Sequence, residues 1–143
     1  MKVLIISLIS FIFFVEPKWG NDFDKAKIES LENKKLILLY FSGSDWCGPC
    51  IKLKKDVLET DEFIDFASNK LVLLRADFPR MKKNQLDKVQ IQKNEKLAEK
   101  YNNKGKFPLT VLLDPSGKVL KEWDGYPKDL NSNGLKQQIQ AFL

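Results

Sequence analysis

The chain has two cysteines, and they stand three positions apart in the run Trp46-Cys47-Gly48-Pro49-Cys50. Positions i and i+3 in the first turn of a helix lie on one face, which brings two sulfurs within bonding distance. The spacing therefore predicts a helix that begins at the first cysteine. Pro49 agrees with this, because a proline in a first helical turn gives up an N–H that has no helical acceptor.

The position of each cysteine predicts its chemical role. Cys47 is the candidate nucleophile, because unpaired N–H groups and the dipole at a helix N-terminus favour a thiolate. Cys50, one turn deeper, is expected to be shielded and to act as the resolving thiol. A structural disulfide, half of a zinc site and two unpaired core thiols are the alternatives. A disulfide that closes so short a loop constrains the unfolded chain little, so it would stabilise the fold only weakly. A zinc site needs about four ligands, and this chain has two cysteines and no histidine. Redox chemistry is favoured, with no metal and no cofactor.

A longer segment around the cysteines has a recognisable pattern. The run Leu36 to Cys50, LILLYFSGSDWCGPC, resembles the strand, loop and helix start of the thioredoxin superfamily. It most resembles the secreted or periplasmic thioredoxin-like proteins, which often carry Gly-Ser-Asp-Trp before the first cysteine. The family's second signature is a cis-proline near the dithiol, which Pro108 in the run KFPLT at 106–110 matches. The resemblance covers roughly residues 22–143.

The resemblance also implies substrate-binding residues. In the family the cis-proline loop lies against the disulfide, and the backbone of the preceding residue, here Phe107, pairs with an extended substrate segment. Phe107 is bulkier than the residue common there and is expected to narrow the groove. An ordinary trans bond at Pro108 is the alternative, since most X-Pro bonds are trans. Trp46 is expected to shield the sulfurs and to offer an apolar contact, or simply to pack.

Three residues are expected to modulate the dithiol. Asp45 places a negative charge near the nucleophile, which opposes thiolate formation. Gly48 and Pro49 supply no charge between the cysteines. A less stabilised reduced form gives a lower reduction potential, nearer to thioredoxin at about −270 mV than to the strong oxidant at about −120 mV. These residues favour a reductase.

Tyr40 marks a departure from the cytosolic thioredoxins. Those proteins have a buried aspartate in this strand, which serves proton transfer to the resolving cysteine. A tyrosine hydroxyl, with an ordinary pKa of about 10, is a poor substitute. The proton acceptor for Cys50 is therefore unassigned, with water or another carboxylate as the alternatives.

The N-terminus has the layout of a secretory signal. Lys2 precedes an apolar run from Val3 to Val15, and Glu16-Pro17-Lys18 ends it. The run is shorter than the about 20 residues that a membrane-spanning helix needs. Residues 1–20 are therefore predicted to be a cleaved signal peptide before a domain at 21–143, in a periplasmic or secreted protein. An uncleaved, membrane-tethered form is the alternative, because no clear small-x-small cleavage site is present.

Length and charge limit the remaining possibilities. A chain of 143 residues with 43% hydrophobic content suits one compact domain. The formal net charge of +5 is mildly basic, and no nucleic-acid motif accompanies it, so nucleic acid is not an expected partner. Two lysine-rich clusters, at 52–55 and 80–83, would suit an acidic partner, but such clusters are usually solvated faces. A monomer is expected.

The apolar pattern predicts a single-domain α/β protein with a thioredoxin-like fold, in which helices flank a central mixed β-sheet. Helices are predicted at 22–33, from residue 47, in a short turn at 63–66, at 94–102 and after 131, and strands at 36–41, 71–77, 110–114 and 119–123. The apolar residues expected on buried helix faces are Phe23, Ala26 and Leu31, then Ile51, Leu53, Val57 and Leu58, and finally Leu135, Ile139 and Phe142. The polar stretch 79–101 is either a solvated connector or a partner-recognition surface.

The predicted function is that of a thiol-disulfide oxidoreductase that reduces protein disulfides in the cell envelope. Its partners would be proteins with disulfides and a membrane or envelope redox protein that supplies electrons. A non-catalytic thioredoxin-like module that binds proteins is one alternative. A copper(I) metallochaperone that uses both thiolates is another, although the chain lacks the histidine ligands that would favour it.

Overall fold

The computed structural model describes residues 18–143. The apolar run of the predicted leader, Val3 to Val15, lies outside these residues. In chain order the elements are α1 Phe23–Asn33, β1 Leu36–Ser42, α2 Gly48–Leu53, α3 Asp61–Lys70, β2 Leu71–Asp77, α4 Lys88–Tyr101, β3 Leu109–Leu113, β4 Val119–Asp124 and α5 Ser132–Gln140. A π-helical turn, Lys54–Leu58, continues α2, and a 3-10 turn, Lys82–Asn84, lies between β2 and α4.

The sheet has the strand order β2-β1-β3-β4 within the described residues. β1 runs parallel to β2 and antiparallel to β3, and β3 pairs antiparallel with β4. The predicted mixed sheet, its flanking helices and the single domain are confirmed. Because β1 is central and its carboxyl end leads into the two cysteines, the dithiol lies at the middle of one sheet edge.

β1 is buried on both faces, which explains its continuous apolar sequence. Alternate side chains point to opposite faces of a strand. Leu38 and Tyr40 therefore pack in the core that contains both cysteines, together with residues of α2, α3 and α5. Ile37 and Phe41 pack in the second core, under α1 and α4. Tyr40 thus lies on the dithiol side of the sheet.

The buried face of α1 differs from the predicted one. Leu31 is 71% exposed, so its assignment to the buried stripe is wrong. Ala26 and Ser30 are buried instead, since residues four apart lie on one face of a helix.

Two further apolar assignments are also wrong. Ile51 is 49% exposed, because the buried face of α2 runs through Cys50 and Leu53. Phe142 is 41% exposed, since α5 ends at Gln140. The predicted core positions of α5, at Leu135 and Ile139, are confirmed by their burial in the dithiol-side core.

α4 begins earlier than predicted, at Lys88 rather than Asn94. Asp87 is its N-cap, and its carboxylate accepts a hydrogen bond from the backbone N–H of Gln90 at 2.8 Å. An aspartate followed three residues later by glutamine is typical of a helix start. The sparse apolar residues of this segment favour a later start, whereas the Asp87 cap sets the observed one.

The residues just before α1 extend the sheet. Gly20 forms a parallel bridge with Leu74, next to β2, and its N–H donates to the carbonyl of Leu73 at 2.8 Å. The ring of Trp19 lies 5.8 Å from that of Tyr40. The packed part of the chain therefore includes Trp19 and Gly20. No helix in residues 18–143 is long and apolar enough to cross a bilayer.

Candidate active site

Cys47 and Cys50 form a disulfide at the start of α2, with their Cα atoms 5.2 Å apart. Cys47 is the N-cap residue, and its Sγ accepts a hydrogen bond from the backbone N–H of Cys50 at 3.2 Å. When the bond is reduced, such a donor stabilises a thiolate at Cys47. Cys50 is fully buried. Both cysteines therefore occupy the positions that their spacing predicted.

Tyr40 lies behind the resolving cysteine. Its hydroxyl donates a hydrogen bond to the backbone carbonyl of Cys50 at 2.7 Å. The backbone N–H of Lys54, at the start of the π-helical turn, also donates to this carbonyl. That N–H is shared between the carbonyls of Cys50 and Ile51. Burial raises the pKa of Tyr40 to about 12. The phenol therefore stays protonated at ordinary pH and acts as a donor rather than as a base.

The Gly-Ser-Asp-Trp loop, residues 43–46, is attached to the chain that follows β2. The backbone N–H and hydroxyl of Ser44 donate to the carboxylate of Asp77 at 3.0 and 2.6 Å. The indole N–H of Trp46 donates to the carbonyl of Phe78 at 2.8 Å. Gly43 lies directly beneath this indole, where a Cβ would stand 2.3 Å from the ring. The loop thus needs a glycine at 43 to let Trp46 lie flat.

Asp45 makes the third attachment. Its carboxylate accepts hydrogen bonds from the backbone N–H groups of Arg80 and Met81, both at 2.9 Å, and from the side-chain amide of Asn84 at 3.0 Å. The amide of Arg80 and the side chain of Asn84 lower the pKa of Asp45. The carboxylate is therefore ionised, and it anchors the segment 80–84 beside the nucleophile.

An aromatic cluster lies between this segment and the proline loop. The ring of Phe107 lies 5.4 Å from that of Trp46 and 5.4 Å from that of Phe78. The guanidinium of Arg80 lies over the Trp46 ring, 3.7 Å from its centroid. Pro108 is buried, and the bond that precedes it is cis, as the resemblance implied. The structure thus brings Trp46 and Phe107, the residue before Pro108, together against the core that contains the two cysteines.

The sequence did not identify several residues that build this site. The sequence patterns assign no role to Ser44, Asp77 or Phe78, and they mark 80–83 as a lysine-rich cluster within a polar stretch without linking it to the dithiol. A signal was available for Asp77, because it ends the strand parallel to β1, and the carboxyl ends of parallel strands meet at one sheet edge. The contacts of Asp45 had no such signal, since they depend on how an irregular segment folds back.

Gly48 and Pro49 are exposed between the cysteines and bring no charge to the site. Across residues 18–143, no group of three or more His, Cys, Asp or Glu side chains is placed to hold a metal ion. The Cys47–Cys50 pair can act as a dithiol that exchanges with other disulfides.

Comparison with known proteins agrees with this class of site. The family model described as Thioredoxin-like matches residues 18–115. The chain is 40% identical over 103 residues to the disulfide bond reductase DsbH of Chlamydia pneumoniae, covering 72% of this chain and 60% of the relative. It is 30% identical over 115 residues to the thioredoxin-related protein DsbJ of the same organism, covering 80% of this chain and 32% of the relative.

A solved structure of a DsbH oxidoreductase superposes with a TM-score of 0.79 at 28% identity, covering 98% of this chain and 93% of that one. The fold and the disulfide at the helix start define a thioredoxin-like protein with a Cys-x-x-Cys site. The chain belongs to the Thioredoxin-like family. It spans about 60% of the length of the DsbH relative and about a third of DsbJ.

Proposed function

We propose that the protein is a thiol-disulfide oxidoreductase that reduces disulfides in other proteins. The observation that carries the proposal is the asymmetry of the pair: Cys47 caps a helix, accepts an N–H bond and keeps 4% of its surface exposed, while Cys50 is fully buried. Such a pair has one sulfur suited to attack and one suited to resolve. The 40% identity to a protein named as a disulfide bond reductase supports the same activity.

The reaction is two successive thiol-disulfide exchanges. The thiolate of Cys47 attacks one sulfur of the substrate disulfide, and the other substrate sulfur leaves as a thiolate and takes a proton. Cys50 then loses its proton and attacks the Cys47 sulfur. The mixed bond breaks, the Cys47–Cys50 disulfide forms, and the second substrate thiolate is released and protonated. Two electrons pass to the substrate.

The charges of the cysteine loop favour reduction of substrates. Asp45 is an anion two residues before Cys47, Gly48 and Pro49 bring no cation between the cysteines, and the Arg80 guanidinium lies on the Trp46 ring, so a thiolate receives little side-chain stabilisation. The disulfide of this protein is then more stable, relative to its dithiol, than the disulfide of a strongly oxidising relative, and this favours reduction of substrates. The three N–H groups that donate to the Asp45 carboxylate weaken its repulsion of a thiolate at Cys47, but they do not remove its negative charge.

The surroundings of the pair suit a protein substrate. Trp46 gives an apolar contact, and Phe107 with Pro108 forms the edge against which an extended substrate segment pairs. The leader predicted at residues 1–20 would place a monomeric enzyme in the cell envelope. Because each turnover leaves a disulfide, an envelope or membrane partner with a dithiol of lower potential must supply electrons.

The proposal is tested with two serine variants and insulin as substrate. Cys47→Ser abolishes reduction, because the attacking sulfur is lost. Cys50→Ser accumulates a mixed disulfide between Cys47 and the substrate, which non-reducing electrophoresis detects. Normal turnover by either variant would rule out the proposed roles.

A further inference from the structure

Three cations next to the candidate active site form no ion pair with any acidic side chain of residues 18–143. They are the exposed side chains of Arg80, Lys82 and Lys83, which are called the basic shelf below. Within residues 18–143 the ion pairs join Lys27 to Asp24, Lys54 to Glu59, Lys93 to Asp22, Lys106 to Asp124 and Lys136 to Glu62. The basic shelf contributes to none of them. Its charge is available to a partner.

The shelf is held in a fixed place relative to the nucleophile. Asp45, two residues before Cys47, binds the backbone amides of Arg80 and Met81 and the side chain of Asn84. The Asp45 carboxylate is thus occupied by backbone and side-chain amide donors. The Arg80 guanidinium does not pair with it and lies over the Trp46 ring, 3.7 Å from the ring centroid. The aspartate thus positions the shelf without pairing with its side-chain cations.

The shelf is also continuous with the surface expected to bind substrate. Trp46 carries the Arg80 guanidinium on its face, and its ring also contacts that of Phe107, at an interplanar angle of 66°. Phe107 precedes Pro108, whose loop is the proposed pairing edge for an extended chain. A substrate segment that crosses the dithiol therefore passes from this edge to Trp46 and on to Arg80.

We propose that the basic shelf selects substrates in which acidic residues flank the target cysteine. The inference rests on the proposed reductase function and adds a preference to it. A guanidinium presents a planar set of N–H donors that matches a carboxylate, and stacking on Trp46 restricts its rotamers before substrate arrives. Lys82 and Lys83 add charge that attracts an acidic segment. Complementary charge favours this occupant over a basic or purely apolar segment.

The test uses three disulfide-bonded fluorogenic peptides that differ only in the residues flanking the cysteines, which are Glu, Gln or Lys. Their kcat/KM values are measured with a small dithiol to recycle the enzyme. The variants are Arg80→Gln, Arg80→Lys, and Arg80→Gln combined with Lys82→Gln and Lys83→Gln. Lys70→Gln is the matched control, since Lys70 is exposed and precedes β2, at the opposite end of that strand from the dithiol.

The native protein is expected to prefer the Glu peptide to the Lys peptide by about five- to tenfold. Arg80→Gln lowers kcat/KM for the Glu peptide by about threefold, through KM, and leaves the Lys peptide unchanged or faster. The triple variant loses the preference and Lys70→Gln keeps all of it. Arg80→Lys keeps only part of it, because the charge remains while the planar donors and the stacking on Trp46 are lost. Salt at about 0.5 M reduces the preference of the native protein, because the shelf is exposed.

Two outcomes overturn the inference while the reductase function stands. Equal rates on all three peptides would show that the shelf does not select charge. An equal loss on all three peptides in Arg80→Gln would show that Arg80 only supports Trp46. If the native protein reduces none of the peptides, the proposed function itself fails and the inference fails with it.

Discussion

The hydroxyl of Tyr40 donates a hydrogen bond to the backbone carbonyl of Cys50 at 2.7 Å. This bond joins the central strand of the sheet to the helical turn that carries the buried sulfur. It lies where α2 passes into a π-helical turn and where the helical donor, the N–H of Lys54, is shared between two carbonyls. The carbonyl of Cys50 thus receives a full hydrogen bond from Tyr40 in the sheet and only a shared one from Lys54 in the helix.

Replacing Tyr40 by phenylalanine tests this bond. Tyr40→Phe is expected to lower the free energy of unfolding by about 1 kcal/mol, because the Cys50 carbonyl loses its buried donor. Urea unfolding of the oxidised protein gives the value. The pH profile of disulfide reduction should keep the same inflections below pH 9 as in the native protein, since the pKa of Tyr40 is about 12 and the phenol is protonated throughout that range. An inflection that disappears in the variant would mean that Tyr40 exchanges a proton during the reaction.

The carboxylate of Asp45 is expected to control the order of the segment 80–84. Asp45→Asn replaces one acceptor oxygen by a donor, which opposes either the N–H of Arg80 or the N–H groups of Met81 and Asn84. Hydrogen exchange at the amides of Arg80 and Met81 should therefore become faster. Asp114→Asn is the matched control, because that carboxylate also accepts backbone N–H bonds, in the β3–β4 turn. If both variants leave exchange at residues 80 and 81 unchanged, the attachment contributes nothing to local order.

The same attachment should depend on pH. The folded-state pKa of Asp45 is lowered from its usual 3.8 by the amide of Arg80 and the side chain of Asn84. A lowered folded pKa means that the stabilisation is complete above 3.8 and is lost as the pH falls through the folded value. Protection of the Arg80 amide should therefore persist at pH 5 and decrease below about pH 4. A loss already complete at pH 5 would contradict this assignment.

Thr110 has a buried hydroxyl without a hydrogen-bond partner within the described structure. Thr110→Val should raise the free energy of unfolding by about 1 kcal/mol, since it removes an unsatisfied polar group from a strand position. Thermal unfolding measures the change. Thr60→Val is the contrasting variant and should destabilise the protein, because the Thr60 hydroxyl caps α3 and bonds to Ser132. A destabilised Thr110→Val would reveal a hydrogen bond to the hydroxyl in solution.

The packing of Trp19 and Gly20 predicts that they stabilise the domain. A chain that starts at Asn21 loses the bridge to β2 and the contact between Trp19 and Tyr40. Its free energy of unfolding should be lower than that of a chain starting at Lys18 by about 2 kcal/mol. Denaturant unfolding of the two chains is the measurement. Equal stabilities would place the start of the stable domain after Gly20, as the predicted leader boundary implies.

Local patterns in the sequence predicted much of the site. The apolar run of β1, the spacing of Cys47 and Cys50, and the resemblance around Pro108 each depend on residues close together in the chain. The attachments of Ser44 to Asp77 and of Asp45 to 80–84 cross more than thirty residues, and their partners follow from strand order and loop path. The errors at Leu31 and Ile51 have a related cause, since hydrophobicity alone does not choose which helix face meets the sheet.

The reduction potential of the Cys47–Cys50 pair tests the central claim most directly. It is obtained by equilibrating the protein with glutathione or dithiol buffers of known potential and measuring the oxidised fraction. With Asp45 beside the nucleophile and no charge at Gly48 or Pro49, the account predicts a value near the about −270 mV of thioredoxin. A value well above the about −200 to −230 mV of glutaredoxins would contradict a reductase and indicate an oxidant.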